Sequence, residues 1–237
     1  MRLGVNIDHI ATLRQQRRGH FPDPIEAARV CEKAGAASIV CHLREDRRHI
    51  QDGDVQKLRK TIRTRLNLEM SIAKSIVDVA LKVRPDSVTL VPERRQELTT
   101  EGGLDAVRLM RQLKVLVRDF HQAKIAVSLF VDPEASQLEA ARDCGAGIVE
   151  LHTGSYADAK TAVLRLGKLA ALKKAALAAR KLELKAAAGH GLDYKNVGAI
   201  VKIAEIEELN IGFSIVSRAL FTGLNEAVRE MRRLMAS

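Results

Sequence analysis

The chain has 237 residues, 46% of them hydrophobic and 29% charged, which excludes a disordered polyelectrolyte and supplies enough apolar mass for a sizeable core. A formal charge of +10 favours anionic partners, but aromatic residues make up only 3% and Trp is absent, so the stacking platforms of a single-strand nucleic-acid binder are missing. No apolar run approaches the roughly 20 residues that span a bilayer.

Nucleic acid and membrane are therefore not expected as partners, and the anion expected is a phosphorylated small molecule. The start, MRLGVNIDH, enters a strand-like run with no apolar signal region before it. Cys31, Cys41 and Cys144 show no CxxC pairing, and reduced, buried thiols in a cytoplasmic protein are expected.

Along the chain, β-like runs alternate with amphipathic ones. The strand candidates are GVNID (4–8), SIVCHL (38–43), LNLEM (66–70) and SVTLVP (87–92), followed by KIAVSLFV (124–131), GIVELHT (147–153), LELKAAAG (182–189) and ELNIGFS (208–214). Several are apolar at consecutive positions, as strands buried on both faces are. Between them, DPIEAARVCEKAGA opens with an Asp cap and a Pro and ends near Gly35. AVLRLGKLAALKKAALAARK carries a helical stripe at Val163, Leu166, Leu169 and Leu172, with Lys168, Lys173, Lys174 and Arg180 on a solvated face. SRALFTGLNEAVREMRRLM reads as one closing helix.

This alternation implies parallel strands joined by right-handed crossovers. Eight units in slightly under the roughly 250 residues usual for the fold predict an α/β chain forming a single (β/α)8 barrel over residues 1–237. A doubly wound open sheet is the alternative. It lacks support at the first turn, NIDHIATLR, which has no GxGxxG phosphate loop.

In such a barrel the chemistry sits at the carboxyl ends of the strands. Those ends carry Asn6, Asp8 and His9, then His42 with Arg44, Glu69, Glu150 and His152, His190, and finally Gly212. Four of the seven histidines fall there, which packing alone does not explain, and a shared site is predicted. His, Asp and Glu at one mouth could hold zinc or iron. There is no HxH or HExxH pair, however, and the arginines repel a cation, so neither metal nor organic cofactor is expected.

Guanidinium forks match phosphate oxygens, and Arg44 and Arg17 are the better candidates for that task. Arg47 and Arg48 read as solvated partners of Glu45 and Asp46. A second anion cradle is predicted where Gly191 and Gly212 free backbone N–H groups near the start of the last helix. Two cradles imply two phosphorylated substrates or one bisphosphate. Between them Glu69, His42 and His190 are able to pass protons near neutral pH. No Ser or Cys occupies a hydrolase elbow, and no strand-end Lys stands out for a Schiff base. Acid–base chemistry on substrates that bring their own nucleophile is the reading, with a single-substrate sugar phosphate isomerase or aldolase as the alternative.

GVNIDHIATLR, HLREDRRHI, LNLEM, LVPERRQELTTEGGLD, HTGSYADA and AGHGL, together covering nearly the whole chain from Gly4 to about Met235, closely resemble the pyridoxine 5'-phosphate synthase family. The resemblance implies a (β/α)8 barrel that condenses 1-deoxy-D-xylulose 5-phosphate with 3-amino-2-oxopropyl phosphate, without metal or cofactor. It makes His42 and Glu69 proton acceptors, His190 a proton donor and Glu150 the stabiliser of cationic intermediates. It assigns Asp8, His9, Arg44, His49 and Thr99 to the deoxyxylulose phosphate, and Asn6, Arg17, Gly191 and the Gly212–Phe213 backbone to the amino ketone phosphate. Segment 94–103 would be a closing loop, and the chain a homo-oligomer, an octamer built from dimers. Family members often carry His where this chain has Phe213, so only a main-chain contact is expected there.

Overall fold

Consecutive apolar residues do produce largely buried strands, two of them (38–43 and 87–90) buried throughout. They are β1 (Arg2–Asn6), β2 (Ser38–Leu43), β3 (Arg65–Met70) and β4 (Ser87–Leu90), then β5 (Ala126–Val131), β6 (Ile148–His152), β7 (Lys185–Gly189) and β8 (Ile206–Ile211). The structure is a computed structural model that describes residues 1–93 and 102–236. Each strand pairs in parallel with the next, and β1 closes the ring against β8. This is a (β/α)8 barrel, and the open-sheet alternative is set aside.

Helices α1 (Asp8–Arg17), α2 (Pro24–Ala34), α3 (Asp52–Thr61), α4 (Lys74–Val83) and α5 (Ala106–Gln122) follow the early strands. The later ones are α6 (Ala135–Asp143), α7 (Gly154–Ala157), α8 (Ala162–Lys181), α9 (Val197–Val201), α10 (Phe213–Thr222) and α11 (Leu224–Ala236). For α2 the local signals act as expected. Asp23 accepts from the Ile25 N–H at 2.9 Å, Pro24 opens the helix, and Gly35 ends it at φ 95°.

Three elements depart from the sequence reading. First, β1 stops at Asn6, and Asp8 and His9 begin α1, because the Asn6 side-chain oxygen accepts the Asp8 N–H at 2.9 Å and turns the chain. Second, Val163 and Leu166 are 80% and 65% exposed: the first turns of α8 lie in solvent, and its packed face is Leu172, Ala175, Ala176 and Ala179. Third, the closing helix is two helices, broken at Gly223, which adopts φ 79°.

Inside the barrel, polar side chains replace aliphatic layers. Ser87 and Thr89 both donate to Asn67 Oδ1 at 3.1 Å, and Ser128 and Asn210 are buried with them. Gly4 makes this possible, since a Cβ there would overlap the Asn210 amide oxygen. The three cysteines are free and buried. No helix is long and apolar enough to cross a membrane, among the described residues.

Candidate active site

The site starts from one amide. Asn6 Nδ2 donates to Asp8 Oδ2 at 2.9 Å and lies 3.4 Å from Glu69 Oε2. Asp8 Oδ1 in turn accepts the His42 backbone N–H at 2.8 Å. The tail of β1 thus fastens the tails of β2 and β3, where His42 and Glu69 stand side by side in register. Asp8, His42 and Glu69 each bring a donor atom within 4.8 Å of the others, a spacing that could hold a cation. Both Asp8 oxygens and one Glu69 oxygen, though, are already engaged by the Asn6 amide and the His42 backbone. That bonding fits a proton-handling cluster better than a ligand set.

Two carboxyl groups face this bowl, and among the described residues their side chains take hydrogen bonds only from amides, Asn6 for Glu69 and Asn210 for Glu150. Asn210 Nδ2 donates to Glu150 Oε2 at 2.6 Å, and Gly189 leaves the space that Oε1 fills. Burial drives the Glu150 carboxyl up to about 7, with the Asn210 amide opposing and Glu208 adding to the rise. Glu69 is pushed well above the ordinary range, first by burial and then by the charges of Glu150 and Asp8, against the pull of Asn6. A cation arriving between them would draw both toward ionisation.

On the β2 side, Arg44 is buried with its guanidinium Nε 3.4 Å from Glu93 Oε1 and 3.6 Å from Asp46 Oδ1. Glu93 Oε2 lies 3.8 Å from His42 Nε2, so one carboxylate spans the arginine and the histidine. Burial pushes Glu93 up, but His42, the Glu45 N–H and Arg44 together hold it below the usual range. His49 faces His42 with ring centroids 6.1 Å apart. Its Nδ1 accepts the Ile50 N–H at 2.9 Å, which leaves Nε2 to donate, and burial lowers its pKa. Arg14 supports this loop from below, gripping Asp54 through bonds of 2.8 and 2.7 Å and donating to the His49 carbonyl at 3.1 Å.

Across the mouth, His190 follows β7 at φ 80° and Gly191 continues at φ 76°. A Cβ on Gly191 would meet Ala157, so the turn requires glycine twice over. Gly212 caps α10, and a Cβ there would press on Asn6. Ser214 ties this helix start to the β7 loop by donating to the Leu192 carbonyl at 2.8 Å.

Asn6, Asp8, His42, Glu69 and Glu150 thus converge on the barrel mouth, with Arg44 and His49 on one rim and His190, Gly191 and Gly212 on the other. His9 packs its ring on Phe213 at 5.2 Å, and Phe213 is 69% exposed. Arg17 ends α1 exposed, two turns beyond His9. Thr99 and most of segment 94–103 lie outside the described residues. Arg47 pairs with Asp52 at 3.0 Å rather than with the Glu45 carboxylate, because Asp52 opens α3 next to it. Arg48 pairs with Asp46 as expected. Sequence reasoning missed Glu93, Asn210 and Asp132. Each acts through a strand neighbour that only barrel closure brings near.

The family profile "Pyridoxal phosphate biosynthesis protein PdxJ" matches residues 3–237. A pyridoxine 5'-phosphate synthase from Synechococcus sp. (strain JA-2-3B'a(2-13)) is 57% identical over 233 residues, covering 98% of each chain. One from Pelodictyon phaeoclathratiforme (strain DSM 5477 / BU-1) is 52% identical over 235 residues, covering 99% of this chain and 100% of that one. Among solved structures, a 3-hexulose-6-phosphate synthase superposes with a TM-score of 0.68 at 16% identity, covering 99% of both chains, which speaks to the fold alone. The full-length match, carried by relatives above half identity, places this chain in the PdxJ family of pyridoxine 5'-phosphate synthases.

Proposed function

We propose that this chain closes the pyridine ring of pyridoxine 5'-phosphate from 1-deoxy-D-xylulose 5-phosphate and 3-amino-2-oxopropyl phosphate. The observation that carries the reading is a pair of carboxyls, Glu150 buried and Glu69 half-buried, both held toward the neutral state at a mouth that also presents His42 and His190.

The substrate amine attacks the sugar ketone, and loss of one water leaves an imine whose protonated form is cationic. That cation is what Glu150 would stabilise, ionising as it arrives. Glu69 and His42 take the carbon-bound and hydroxyl protons that must leave for unsaturation to spread. His190 returns a proton to departing oxygen. One inorganic phosphate and a second water leave before the ring is aromatic, so atoms balance without an external oxidant. Arg44 and His49 would hold one phosphate, and the Gly191 and Gly212 backbone the other, with Asn6 bracing the second cradle. Thr99, Arg17, Asp8 and His9 complete the proposed contacts, and Phe213 contributes only main chain. The working form is proposed to be a homo-oligomer, a reading that the exposed Phe21, Leu220 and Phe221 favour.

Incubating the purified protein with both substrates and following pyridinol absorbance tests this directly. Product that appears only when both substrates are present supports the synthase. Turnover of the sugar phosphate alone points to an isomerase instead.

A further inference from the structure

The tail of β6 bears on His190 in two ways. Thr153, fully buried, sets its hydroxyl 2.7 Å from the Gly189 carbonyl and 2.5 Å from the His190 carbonyl, and its N–H donates to Gly189 at 2.9 Å. These bonds hold a left-handed residue that has a side chain, a conformation that persists only where neighbours fix it. His152 then stands edge-on to the His190 ring, with centroids 5.1 Å apart and planes at 66°.

His152 is itself held from behind. Its Nδ1 lies 2.9 Å from Asp132 Oδ1, just past β5, which assigns the ring proton to Nδ1. Phe130 closes the other side at 5.1 Å. Nε2 is buried and has no hydrogen-bond partner among the described residues. Gly154 keeps that nitrogen open, since a Cβ there would stand 2.5 Å from His152 Nε2 and 3.1 Å from His190 Cδ2. One small space is therefore bordered by both imidazoles.

We propose that Asp132 and His152 form a positioning pair for His190, fixing its ring at the barrel mouth. The inference rests on reading His190 as the proton donor. The charged and titratable groups facing His190 are His152 from β6 and Asp158 beyond α7; those facing His152 are Asp132 and His190. Burial first and then His152 lower the His190 pKa, while Asp158 opposes. Asp132 is held below its usual range chiefly by the bond to His152, with the Gly103 N–H assisting against burial. An imidazole so disposed gives up a proton readily, as a donor to departing oxygen must.

The test compares His152→Gln, Asp132→Asn and the double variant with wild type. Each single change is expected to lower kcat about tenfold with both KM values nearly unchanged, the order seen when the partner behind a working histidine is removed. The double variant should lose no more than the worse single one. Wild-type kcat in both single variants or additive losses would overturn the pair. Nitrogen NMR of the intact wild-type protein tests it without any substitution: the His152 proton must sit on Nδ1, and a proton on Nε2 overturns the proposal. His190→Asn separates the two readings. If it is inactive while His152→Gln is fully active, only the pair fails; if it stays active, the donor reading fails.

Discussion

Gly189 and Glu150 stand on neighbouring strands so closely that a Cβ on the glycine would overlap the Glu150 carboxylate oxygen Oε1. The barrel can therefore keep a carboxyl group in its interior only because β7 ends in a residue without a side chain. The same exchange recurs where Gly4 admits Asn210, which in turn holds the other Glu150 oxygen at 2.6 Å. Gly189→Ala is expected to destabilise the fold by about 1–3 kcal/mol through overpacking. It should also lower kcat by displacing Glu150. Denaturant midpoints and steady-state kinetics on the same variant check both effects.

Glu150 sets a pH dependence of stability. Its folded pKa is raised to about 7, above its unfolded value near 4.5. The folded state therefore binds the proton more tightly. The stabilisation is complete below about pH 4.5 and is lost as pH rises through about 7. Ionising the buried group costs on the order of 3 kcal/mol by pH 8. Glu150→Gln, which cannot ionise, should flatten the Tm-versus-pH curve over that window and be the more stable protein at pH 8. A wild-type slope in the variant would contradict this.

Glu93 occupies the space between Arg44 and His42 that a phosphate would claim. The Glu93, Arg44 and His42 side chains are all under a tenth exposed, and removing one charge at about 4 Å there alters binding by at least about 1 kcal/mol. Glu93→Gln is expected to bind inorganic phosphate roughly fivefold more tightly at low ionic strength, with the gain shrinking in high salt. Calorimetric titration at two salt concentrations reads it out.

The Arg14–Asp54 pair is buried, both side chains being under a tenth exposed, and it anchors the His49 carbonyl. Asp54→Asn leaves a guanidinium without its carboxylate and should cost about 3–5 kcal/mol. Replacing both residues with apolar ones of similar volume should cost less than that single change. In either variant the KM for the deoxyxylulose phosphate should rise, because the loop carrying His49 loses its brace.

Much of the fold was legible because strands buried on both faces write themselves as apolar runs, and because Asp23, Pro24 and Gly35 punctuate α2 with unambiguous chemistry. The mouth was legible for the same reason: polar residues after apolar runs, such as His42, Glu69 and Glu150, have only the strand ends to occupy. What escaped was whatever depends on neighbours distant in sequence. His152 was visible at a strand tail, but Asp132 is its partner only once β5 lies against β6. Asp8 and His9 were read as strand end for a different reason: the Asn6 side chain turns the chain by accepting the Asp8 N–H two residues on, a local bond that an apolar pattern does not register. Val163 and Leu166 keep helical spacing without a surface to meet, so periodicity alone overstated their burial.

The most direct test is single-turnover ring formation by Glu69→Gln at neutral pH, with binding of each substrate measured alongside. Glutamine preserves the bond to Asn6 but can no longer accept a proton, and loss of a general base costs typically 100-fold or more, roughly. We expect ring formation to collapse by at least about that factor while both phosphates still bind. A Glu69→Gln protein that makes product at the wild-type rate would contradict the central claim.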